Sequence, residues 1–93
     1  TASLFPGSQA LKSGLDLNNS NSSIAITPAN SNHPRISLTL PRLLDSHQLI
    51  LFFRGQAKHE VFLEAKQTDD IYRLPIAAII KQDRTPLTAY WAP

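Results

Sequence analysis

Strands and helices that interleave along the chain predict an α/β layer structure. Three observations carry that reading. Residues 49–53, Leu-Ile-Leu-Phe-Phe, are an unbroken apolar run, as expected of a strand buried on both faces of a parallel sheet. Gly55 then breaks the pattern. From Gln56 the apolar period lengthens, with Ala57, Val61 and Ala65 at i, i+4 and i+8 and Phe62 beside them, which predicts a helix.

The remaining elements follow in order. Pro6-Gly7 is a turn signal, and Ser8 is placed to cap one helical turn through Leu11. Residues 14–23 are rich in Asn and Ser, which compete with helix backbone bonds, and read as a loop. Residues 24–27 form a brief strand ended by Pro28, and residues 29–34 are a second loop. Residues 35–40 alternate cleanly, with Ile36, Leu38 and Leu40 on one face and Arg35, Ser37 and Thr39 on the other. Pro41 suits the first position of a short helix through Asp45. After the helix at 56–66 comes a polar break at 67–70. Pro75 opens a second helical stretch with the stripe Ile76, Ile79 and Ile80, and residues 87–91 alternate as a last strand.

Ninety-three residues allow one small domain with a modest core, so residues 1–93 are expected to form a single unit. There is no cysteine, hence no disulfide framework and no thiolate metal site; this fits a reducing compartment without requiring one. No apolar run nears the roughly 20 residues a membrane span needs. The net charge of +2, with Lys and Arg scattered singly, makes no case for nucleic acid. The chain has no methionine and opens inside an apolar, foldable segment. We therefore expect a piece of a longer protein. Two short helices and a helical turn cannot cover both faces of a three- or four-stranded sheet. Apolar surface should stay open to a missing N-terminal part or to a second copy.

Few residues carry chemistry. Lys58 falls in the first turn of the predicted helix, where unpaired N–H groups already carry partial positive charge. Either it is a solvated lysine offset by Glu60, or it and the helix terminus hold an anion. Arg35 is either a sheet-edge charge that discourages aggregation or a phosphate contact. His33, His47 and His59 show no ligand spacing and read as surface residues, which gives no metal site. The carboxylates read as solvating groups. No glycine-rich nucleotide loop and no nucleophile elbow is present.

Several segments together resemble the 6-phosphogluconolactonase family. Residues 1–7, Thr-Ala-Ser-Leu-Phe-Pro-Gly, are similar to the family segment that follows an Asp-Gly-His triplet. Residues 34–41 resemble its arginine-led strand, and residues 49–65 its strand–Gly-x-x-Lys–helix unit. Residues 86–91, Pro-Leu-Thr-Ala-Tyr-Trp, resemble its C-terminal strand. The resemblance implies the C-terminal part of a Rossmann-like open sheet with flanking helices, incomplete as a domain. It implies hydrolysis of 6-phosphogluconolactone in the pentose phosphate pathway, in the cytoplasm, with no cofactor. In the family a histidine of the triplet is the general base; its position would precede Thr1, which leaves no catalytic residue in this chain. The phosphate-binding set carried over is Lys58, Arg35 and Gly55.

Two readings stand at this point. The first is a fragment of a sugar-phosphate enzyme, inactive alone, with lactonase chemistry favoured over the related glucosamine-6-phosphate deaminases by the Leu-Phe-Pro-Gly opening. The second is a non-catalytic α/β module that binds a partner protein through its open apolar face.

Overall fold

A computed structural model describes residues 3–28 and 32–93. Thr1, Ala2 and the part of the second predicted loop at 29–31 lie outside the described residues. The order is α1 (Leu11–Leu15), β1 (Ser23–Ile26), β2 (Arg35–Leu38), α2 (Leu40–Leu44), β3 (Leu49–Arg54), α3 (Gln56–Gln67), α4 (Ile76–Ile80) and β4 (Leu87–Ala92). The α/β class holds. Among the described residues, though, the strands form two separate pairs: β1 with β2 antiparallel, and β3 with β4 parallel. Residues 55–86, with α3 and α4, make the crossover a parallel pair requires.

The core lies where α1, α2 and α4 meet. Leu11, Leu15, Leu40 and Leu44 are buried there, with Leu4, Leu49, Ile71, Ala78 and Ile79 packed around them. Pro41 sits at the start of α2, as the sequence predicts. Thr85 ties the approach to β4 to this core, its hydroxyl donating to the Leu44 carbonyl and its N–H to Gln82 Oε1 at 2.9 Å.

Four expectations are corrected. The first helical turn does not end at Leu11; α1 begins there and runs through Gly14, a position the Asn/Ser-rich composition assigns to a loop. Packing outweighs the poor helix propensity of glycine: a Cβ at Gly14 would lie 2.6 Å from Leu4 Cδ2. Along β2 the alternation does not set burial: Ser37 and, just beyond the strand, Thr39 are fully buried, while Ile36 is 75% exposed. The hydroxyls tolerate burial because each finds backbone partners. Ser37 Oγ accepts from the Ser3 N–H at 2.9 Å and donates to the Leu38 carbonyl, and Thr39 Oγ1 donates to the Asn21 carbonyl at 2.7 Å.

The third correction concerns β3, whose apolar run is not covered on both faces. Leu49, Leu51 and Phe53 turn inward; Ile50 and Phe52 remain 66% and 67% exposed. Tyr90, paired in register with Phe52, is 52% exposed and extends that open face. The fourth concerns α3. Its less exposed side is His59, Phe62 and Ala65 at i, i+3 and i+6, whereas Ala57 and Val61 are exposed, Val61 at the rim of a cavity between α3, α4 and β3. Only Ala65 is fully buried.

Exposed ion pairs complete the surface. Lys81 Nζ lies 2.7 Å from Asp69 Oδ1, and its hydrogen bond and charge hold the Asp69 carboxyl below its ordinary value. Among the described residues no helix is long and apolar enough to cross a membrane.

Candidate functional site at the start of helix α3

The β3–α3 junction is a sharp corner made by one residue. Gly55 has φ 92° and ψ 155°, a region open essentially to glycine. Crowding by neighbouring residues is not the cause: a Cβ at Gly55 would meet nothing within 4 Å. Gly55→Ala should therefore destabilise the chain by about 1–3 kcal/mol through backbone strain alone. A urea midpoint equal to that of the parent chain would remove this account of the corner.

Helix α3 has no side-chain N-cap and no acidic residue in its first turn. Its first intrahelical bond at this end is His59 N–H to the Gly55 carbonyl, 3.2 Å. The N–H groups of Gln56, Ala57 and Lys58 thus precede the helical ladder and point away from it. Lys58 is exposed in this turn. Among the described residues the ion pairs are Arg42–Asp45, Arg73–Glu64 and Lys81–Asp69, so Lys58 and Glu60 form no ion pair in direct contact. Beside Lys58 is a cavity of about 190 Å³ walled by Leu51, Phe53, Val61, Phe62, Ile76 and Ile80, which Lys58 also lines. The Phe53 and Phe62 rings, 5.1 Å apart, join sheet to helix at its base.

The other two predicted ligands are placed differently. The Gly55 N–H is already spent on the Ala92 carbonyl at 2.9 Å, which leaves Gly55 to shape the corner. Arg35 opens β2 opposite Ile26, in the antiparallel pair, with its guanidinium 5.9 Å from the centre of the Phe5 ring. It does not line the cavity beside Lys58.

Two residues at this corner were missed. Trp91 donates its indole N–H to the Gly55 carbonyl at 3.0 Å, and its ring stacks on His59 at 4.2 Å and 29°. Spacing alone makes His59 a surface histidine and Trp91 only a member of the last strand. The signal that would have linked them is the β3–β4 register, which sets Trp91 beside Phe53. Among the described residues no group of three or more His, Asp or Glu is placed to hold a metal ion.

Comparison with known proteins agrees with the resemblance to the 6-phosphogluconolactonase family. The chain is 34% identical over 93 residues to a 6-phosphogluconolactonase of Rhizobium meliloti (strain 1021), covering 100% of this chain and 40% of that protein. It is 40% identical over 93 residues to one from Caulobacter vibrioides, covering 98% of this chain and 38% of that protein. The crystal structure of a 6-phosphogluconolactonase from Shewanella baltica OS155 superposes with a TM-score of 0.92 at 32% identity, over 99% of this chain and 39% of that one. The chain thus spans about two-fifths of the length of the curated relatives it matches. The family description "Glucosamine-6-phosphate isomerases/6-phosphogluconolactonase" matches residues 1–91, nearly the whole chain, strand–glycine–lysine–helix corner included, so this chain belongs to that family.

Proposed function

We propose that the chain is part of a 6-phosphogluconolactonase and supplies one wall of its phosphate site. The observation that carries this is the unbalanced charge at the start of α3. Unpaired N–H groups and the exposed Lys58 share that first turn, which holds no acidic residue. A dianionic phosphate neutralises both at once. In this reading Lys58 grips the phosphate, Gly55 sets the corner, and Arg35 is a second, more distant phosphate contact. The named relatives are lactonases, which supports lactone hydrolysis over deaminase chemistry.

The reaction is addition of water to the lactone carbonyl, followed by cleavage of the ring ester bond to give a carboxylate and a hydroxyl. It calls for a general base. The 93 residues contain no Asp-Gly-His triplet, so on this reading the chain alone binds without turnover. The compartment proposed is the cytoplasm. The open face formed by Ile50, Phe52 and Tyr90 is proposed to be covered by further chain of the same protein, consistent with the two-fifths coverage of the relatives.

The test is titration of the chain with 6-phosphogluconate, followed by backbone amide shifts at residues 56–58. Lys58→Ala should weaken binding about tenfold or more, the scale of a lost charged hydrogen bond. Unchanged affinity in that variant would sink the assignment.

A further inference from the structure

We propose that Trp91 is the positioning residue of the Lys58 anion site, an inference that rests on the reading of Lys58 given above. A helix that begins at a glycine with no side-chain cap has a loose origin, because glycine restricts its own backbone least. Here both backbone polar groups of that glycine are held by the end of β4. The Gly55 N–H donates to the Ala92 carbonyl at 2.9 Å, and the Gly55 carbonyl accepts from the Trp91 indole at 3.0 Å. The same indole ring stacks on His59, the residue directly after Lys58. One side chain therefore fixes the corner before the lysine and the ring after it. The free N–H groups of residues 56–58 and the Lys58 backbone are carried as one unit between these two fastenings. Trp91 acts through Gly55 and His59, which makes it a positioning residue. It is also the only tryptophan in the chain, so its fluorescence reports on this corner.

The experiment uses the 93-residue chain, inorganic phosphate as the probe, and amide shifts of residues 56–58 as the readout. Trp91→Phe keeps an aromatic ring and removes the indole donor. It should weaken phosphate binding roughly three- to tenfold, the scale of one hydrogen bond. In the Lys58→Ala background Trp91→Phe should cause no further loss, and phosphate should shift the fluorescence of the parent chain with the same midpoint as the amides. Parent-like affinity in Trp91→Phe, with Lys58→Ala still weakened, overturns the positioning role alone. Unchanged affinity in Lys58→Ala overturns the reading of the site itself, and the positioning role with it. An equal loss from Trp91→Phe in both backgrounds marks a general loss of structure and also overturns the role. If Trp91→Phe does not fold, His59→Ala removes the stack and leaves the indole bond; parent-like affinity there overturns the proposal.

Discussion

Leu40→Ala should lower the unfolding free energy of this chain by about 2–5 kcal/mol, the usual range for truncating a buried leucine. Leu40 is 4% exposed and sits in the cluster with Leu11, Leu15 and Leu44. Its neighbours come from separate elements, α1, the far end of α2 and α4, and each is fastened elsewhere. α1 is packed closely at Gly14, and α2 is tied through Leu44 to Thr85. They cannot all close on the space an alanine leaves, so the upper part of the range is expected. Small domains have only about 5–15 kcal/mol to lose, so a large part of the folded population goes with it. Leu49, the first residue of β3, packs on this same cluster, which links loss of the core to loss of the α3 corner. Chemical denaturation measures the change. A loss below about 1 kcal/mol, the scale of a single methylene, would show that the cluster is not the core.

Phe52→Ser should have the opposite character: a small change in stability and a large change in surface behaviour. A phenylalanine truncated in a packed interior costs about 3–5 kcal/mol. Phe52 is 67% exposed beside Ile50 and Tyr90, so most of that cost should be missing in the 93-residue chain. Its removal should instead abolish most binding of a hydrophobic dye to the open face, because contiguous exposed apolar surface is what such dyes take up. Sedimentation at several concentrations identifies what covers the face. A monomer that binds dye matches a face awaiting further chain of the same protein. Self-association abolished by Phe52→Ser assigns the face to a second copy. A parent chain that is a compact, dye-free monomer would contradict the open face.

Much of the site was readable because its signals are local. The change of apolar period after Gly55 places α3, and counting from it places Lys58 in the first turn. Likewise Pro41 and Pro75 mark the starts of α2 and α4 through the fixed φ of proline. Family membership was legible for a related reason: the matching segments occur in a fixed order, and order is a property of sequence. The inside and outside of β2 were not legible. Alternation identifies two faces, but which one is buried depended on Ser3 and Asn21 reaching Ser37 and Thr39. The role of Arg35 is not legible for the same reason, since the ring its guanidinium lies over, Phe5, is far from it in sequence.

The sequence by itself determined the α/β class, the order of elements, the family, and the placing of a lysine at a helix start. Each rests on periodicity, breakers or motif order within a short span. Only the tertiary structure decided that one face of β3 is open, that Ala65 and not Val61 is the buried residue of α3, and that Trp91 holds the corner before Lys58. Those outcomes follow from the parallel pairing of β3 with β4 across the crossover. That pairing joins Gly55 to Trp91 and Ala92, contacts between distant residues that no local pattern encodes.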